Sequence, residues 1–72
     1  MPYASVEDLP ATLRNRLPLH ALEIYRGAFN AAWRQYDDRT PAEREEITHR
    51  VAWAAVKRKY EKIGDRWVPR AD

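Results

Sequence analysis

Two histidines, one acidic cluster and a basic C-terminal run are the groups in this 72-residue chain with chemistry to offer. His20 and His49 fall at the starts of two helical segments, and with Glu23 or Glu45 they could hold a metal ion only if those starts coincided. Antiparallel helices put them at opposite ends, so no metal site is expected and each histidine reads as a helix-end cap or packing group. Ser5, Thr12, Thr40 and Thr48 are the hydroxyls besides tyrosine, and Ser5 and Thr40 already serve as caps, which leaves no hydrolytic triad and no catalytic residue to nominate. The acids Asp37, Asp38, Glu43, Glu45 and Glu46 lack the alternating oxygen ligands and central glycine of a calcium loop. Two glycines and no cysteine exclude a phosphate-cradling loop, a thiolate nucleophile and a disulfide framework. No cofactor and no small-molecule substrate follow from these residues.

Binding is the remaining chemistry. Arg50, Lys57, Arg58, Lys59, Arg66 and Arg70 form the one plausible basic patch, able to neutralise a few phosphates of a nucleic acid with strong salt sensitivity. The charge is uneven: residues 37–46 carry two basic and five acidic side chains, residues 47–72 seven and three. Helix electrostatics account for much of this, because acids suit a helix N-terminus and bases its C-terminus. The aromatics Tyr25, Phe29, Trp33, Tyr36, Trp53, Tyr60 and Trp67 could stack bases, but their helical spacing fits a core better.

The elements that must position these groups follow from periodicity and punctuation. Ser5 caps a single turn over residues 5–9, and Pro10 opens a short helix in which Leu9, Leu13 and Leu17 share a face until Pro18 ends it. From 18 to 37, Ala21, Leu22, Tyr25, Ala28, Phe29, Ala32, Trp33 and Tyr36 fall within an arc of roughly 140°, with Glu23, Arg26, Asn30 and Arg34 opposite. Thr40-Pro41-Ala42-Glu43 is a capping box with proline at the first helical position, and the helix it starts is expected to run to Ile63, with Gly64 as its C′ residue. Its broad apolar surface predicts that this is the most buried helix. The tail around Trp67 and Val68 can be extended, as one strand of a two-stranded ribbon with residues 1–4. The fold class is therefore mainly α, with two long antiparallel helices, short N-terminal helices and a possible ribbon joining the termini.

Length allows one domain, spanning 1–72. Of the 32 hydrophobic residues eleven are alanine, so 21 larger side chains, eight of them aromatic, must make the core. No apolar run approaches the roughly 20 residues of a membrane span, and no basic-then-apolar leader opens the chain; a soluble, cytoplasmic protein is the expectation.

The segment LPLHALEIYRGAFNAAW at 17–33, followed by HRVAWAAVK at 49–57 and Tyr60, closely resembles the ChaB family of small bacterial proteins, and the opening MPYASVEDLP and Trp67 fit that pattern. The resemblance covers nearly the whole chain. It implies a compact helical domain that regulates cation transport through protein contacts with a sodium or calcium/proton antiporter. Viral proteins similar to ChaB are associated with DNA binding, which implies nucleic acid as the alternative partner. The 37–42 connection is shorter and less charged than in longer family members, so a role carried by that loop does not transfer. Among the matching motif positions, His20, Asn30, His49 and Lys57 are the polar ones and hence the candidates for partner contact; an interhelical hydrogen bond is the competing role for Asn30 and both histidines.

Overall fold

The computed structural model describes residues 2–71. A 3₁₀ turn at Val6–Asp8 leads to α1 (Ala11–Arg14), α2 (Leu19–Gln35) and α3 (Pro41–Lys59), and the chain ends in strands β1 (Tyr60–Ile63) and β2 (Arg66–Pro69). Proline precedes both α1 and α2, at Pro10 and Pro18, where its fixed φ suits helix entry. At Thr40 the capping box forms as its sequence dictates: the Thr40 hydroxyl accepts from the Glu43 amide at 3.3 Å, and the Thr40 amide donates to the Glu43 carboxylate at 3.3 Å.

α2 and α3 form an antiparallel hairpin, as the pairs Trp33–Arg44, Tyr25–His49 and His20–Tyr60 show. The core lies along α2. Leu9, Leu13 and Leu17 pack with Ala21, Leu22, Tyr25 and Phe29, closed from the other side by Ala52, Val56 and Tyr60. The leucine stripe is buried as its spacing predicts. The expectation that α3 is the most buried helix is wrong. It buries three residues, Thr48, Ala52 and Val56, whereas α2 buries five. Much of the apolar surface of α3 is alanine, of which Ala54 is exposed, so one narrow face packs on α2 and the rest meets solvent.

The C-terminal half of the ribbon expectation also changes. The helix stops at Lys59, not Ile63, and Tyr60 takes extended angles (φ −130, ψ 153). Strand β2 pairs antiparallel with β1, not with residues 2–4, in the register Tyr60↔Pro69, Glu61↔Val68, Lys62↔Trp67 and Ile63↔Arg66. The part of that expectation concerning Met1 lies outside the described residues. Gly64 is therefore a hairpin residue instead of a helix C′ cap. Its φ of +64 beside a non-positive Asp65 is the pattern of a two-residue turn with glycine at the first central position. Two groups tie the ribbon to the helix end. The Arg70 amide donates to the Lys59 carbonyl at 2.9 Å, and Arg70 Nε donates to the Lys57 carbonyl at 2.7 Å, satisfying orphan acceptors of the last turn.

At the other end of the hairpin Arg44 does comparable work. Its guanidinium donates to the Trp33 carbonyl through Nε at 2.8 Å and through an Nη atom at 2.6 Å, and lies 3.9 Å from the Trp33 ring centroid. One side chain thus caps the C-terminal turn of α2 and stacks on its indole, which fixes how α3 leaves the 36–40 turn.

Candidate functional site

Between α1 and α3 the surface is indented by a concavity of about 760 Å³. Tyr25 and Phe29 of α2, almost fully buried, underlie its floor. Pro10, Thr12, Leu13 and Arg16 form one wall; Ala42, Glu45, Glu46, His49 and Trp53 of α3 form the other. The α3 wall exists because residues three and four apart stack on one helical face. Tyr3 borders the groove from the N-terminal arm, with its ring 4.9 Å from that of Phe29.

The arm is held by α2. Asn30 Oδ1 accepts from the Tyr3 amide at 2.8 Å while Asn30 Nδ2 donates to the Tyr3 carbonyl at 2.9 Å, so one side-chain amide pairs with a backbone residue as a neighbouring strand would. Arg26 adds a donor to the same carbonyl at 3.2 Å. Polar residues on the outer face of α2 thereby become the anchor of the groove's N-terminal border.

The groove's hydroxyls are neutral groups. Burial, reinforced by the nearby Tyr3 hydroxyl, pushes the Tyr25 pKa up to about 12, and burial followed by the Glu45 carboxylate raises that of Tyr3. Tyr25 Oη lies 2.7 Å from His49 Nδ1, and the imidazole packs edge-on to Tyr25 and Trp53, which fixes its orientation on the α3 wall. Trp53 continues the aromatic seam to Trp67 of β2, with centroids 5.5 Å apart. The arrangement offers apolar surface, two carboxylates, an imidazole and one guanidinium. Those are groups of the kind that line ligand sites.

The four candidates for partner contact separate. His49 stands in the α3 wall of the groove, and it also borders a shallower hollow on the outer face of α3 together with Lys57, Arg50 and Trp53. Asn30 is committed to Tyr3. His20 Nδ1 lies 3.1 Å from the Tyr60 hydroxyl, so His20 joins the start of α2 to β1. The histidines do not meet: each pairs with its own tyrosine, and His49 lies midway along α3, not at its start as the sequence reading has it. Among the described residues no group of three His, Asp or Glu side chains is placed to hold a metal ion.

All six residues of the basic patch are exposed. Arg50 pairs with Glu46 at 3.1 Å, an exposed i,i+4 contact, and Arg70 Nε donates to the Lys57 carbonyl. Sequence reasoning did not single out Arg16, Arg44 or Tyr3. For Tyr3 a signal existed, in the family-like opening; for Arg44 none did, because its partner Trp33 is fixed by tertiary packing.

Residues 9–70 match the sequence profile of the family described as ChaB. The chain is 51% identical over 72 residues to the protein named "putative cation transport regulator ChaB" in Escherichia coli (strain K12), covering 93% of this chain and 95% of that one. It is also 36% identical to an uncharacterised 10.9 kDa protein of Lymantria dispar multicapsid nuclear polyhedrosis virus, covering 100% of this chain and 68% of the viral one. Among solved structures it is similar to a solution NMR structure bearing the same ChaB name, with a TM-score of 0.85 and 48% identity over 97% of this chain and 100% of that one.

Proposed function

The chain belongs to the ChaB family, and from that premise we propose that it is a non-enzymatic regulatory adaptor. It acts from the cytoplasm on a membrane cation/proton antiporter, through protein contact at the groove between α1 and α3. The observation that carries this reading is the groove itself: its floor and both walls are formed in the free chain, and its N-terminal border is clamped by Asn30. Preformed apolar concavities with a few placed polar groups bind with little ordering cost. His49 and Lys57, bordering a shared hollow on α3, extend the contact surface outward from the groove. Among the described residues no helix is long and apolar enough to cross a membrane.

The test is direct binding of this protein to a purified sodium or calcium/proton antiporter in lipid nanodiscs, beside anisotropy titrations with duplex and single-stranded DNA. The adaptor reading expects saturable antiporter binding that survives a rise from about 50 to about 200 mM salt. A nucleic-acid module using Arg50, Lys57, Arg58, Lys59, Arg66 and Arg70 would lose about 2,000-fold in DNA affinity over the same range, for six neutralised phosphates. DNA binding with that salt slope, weakened by Lys57→Gln, Arg58→Gln and Lys59→Gln and accompanied by no antiporter binding, overturns the adaptor reading in favour of nucleic acid.

A further inference from the structure

The charge around the groove is opposite to that of the chain. The protein carries a formal +2, yet the groove walls present two carboxylates, Glu45 and Glu46, against one guanidinium, Arg16. Glu45 is exposed and has no ion-pair partner among the described residues, whereas Glu46 shares an exposed, weak pair with Arg50. The apolar side chains that reach the surface beside these carboxylates are Tyr3, Pro10 and Trp53, above the buried Tyr25 and Phe29. A ligand that fits this surface combines an apolar or aromatic anchor with adjacent positive charge.

Cytoplasmic loops of membrane proteins have that composition close to the bilayer: Lys and Arg are in excess there, and Trp and Tyr are enriched at the interface. We propose that the groove binds a short basic, aromatic-containing juxtamembrane segment of the transporter, with the anchor against the half-buried Tyr3 and Trp53 and its cationic neighbours against Glu45 and Glu46. This rests on the adaptor reading and narrows it to one class of segment. The concavity, about 760 Å³ and open to solvent, has room for a few side chains. Charge sets the choice among partners and the encounter rate, and the apolar anchor sets how long the complex lasts.

The test uses the full chain and three six-residue synthetic peptides, followed by amide ¹H–¹⁵N spectra at about 50 mM salt. The first peptide has leucine and tryptophan among two arginines; the second replaces both arginines by glutamate; the third keeps the arginines and replaces leucine and tryptophan by alanine and serine. The first is expected to shift amides of α1 and of residues 42–53, and to bind about tenfold more tightly than the second, from the summed small energies of exposed charge pairs. It should also exceed the third by at least about tenfold, from the lost apolar burial. In the double variant Glu45→Lys, Glu46→Lys, whose changed side chains are exposed, the order of the first two peptides is expected to reverse. Equal affinity for the arginine and glutamate peptides, shifts confined to another face, or a preference untouched by the double variant overturns the inference. Antiporter binding without selective peptide binding overturns this inference alone and leaves the adaptor reading standing; selective peptide binding without antiporter binding overturns the adaptor reading and, with it, the assignment of the segment to the transporter.

Discussion

Replacing Asn30 by alanine removes the two hydrogen bonds, of 2.8 and 2.9 Å, that hold Tyr3 against α2. Both are partly buried and neutral, so each contributes on the order of 1 kcal/mol net, and the pair about 2 kcal/mol. In a chain of this size 1 kcal/mol moves Tm by roughly 4–8 °C, so Asn30→Ala is expected to melt about 8–16 °C below the wild type if the arm unfolds with the domain. If the arm frays separately, the fall in Tm is smaller, but the Tyr3 amide loses its hydrogen-exchange protection and the contact between the Tyr3 and Phe29 rings disappears. Asn30→Asp sharpens the test. It keeps an acceptor for the Tyr3 amide but sets a second oxygen against the Tyr3 carbonyl, so it should not rescue. Calorimetry and amide exchange read both variants. A melting point within about 2 °C of wild type, with Tyr3 protection and the ring contact intact, would refute the assignment of Asn30 as the arm's anchor and return it to the exposed binding residues.

Arg44→Ala should cost about 2–3 kcal/mol in urea unfolding, since a charge-assisted double donor to the Trp33 carbonyl and a cation–π contact vanish together; Arg44→Lys should recover less than half, because an ammonium lacks the planar fork. Gly64→Ala is expected to destabilise by about 1 kcal/mol, because its φ of +64 is unfavourable for an L side chain even though open space surrounds it, and Gly64→Asn should cost less, as read by thermal melts. Tyr25 is uncharged when protonated, and its folded pKa of about 12 lies above the ordinary 10.0, so its contribution is intact below pH 10 and is lost as pH rises toward 12. Over that window wild-type stability should fall faster than that of Tyr25→Phe, by about 1.4 kcal/mol per pH unit. Parallel curves from urea titrations of the two proteins would contradict a buried, protonated Tyr25.

Local signals of one dominant cause were legible in the sequence. The leucine spacing at 9, 13 and 17, the prolines before α1 and α2 and at the first position of α3, and the Thr40–Glu43 box fix where the three helices start, and the structure agrees. The end of α3 was misread because Gly64 fits two motifs. A glycine after a basic turn suits a helix C′, but Gly64-Asp65 between Tyr60–Ile63 and Arg66–Pro69 is also a two-residue hairpin turn, and the second wins because Trp67 and Tyr60 can then both pack on the helices. Of the site, His49 and Lys57 were legible as polar residues of a family-like motif. Asn30 was legible as a polar residue but not as a clamp, since its partner lies 27 residues away. The groove was invisible to periodicity: Leu13, Tyr25 and Phe29 read as core and are buried, and the concavity above them depends on how the N-terminal arm, α1 and α3 are arranged in space.

The most direct measurement is cation/proton exchange by a purified antiporter in proteoliposomes, with this protein added to the cytoplasmic side as wild type, as the groove variant Glu45→Lys, Glu46→Lys, and as the basic-end variant Lys57→Gln, Arg58→Gln, Lys59→Gln. An adaptor that works through the groove changes the exchange rate as wild type and as the basic-end variant, and loses most of that effect as the groove variant. An unchanged rate with wild-type protein at saturating concentration, or an effect abolished only by the basic-end variant, would contradict it.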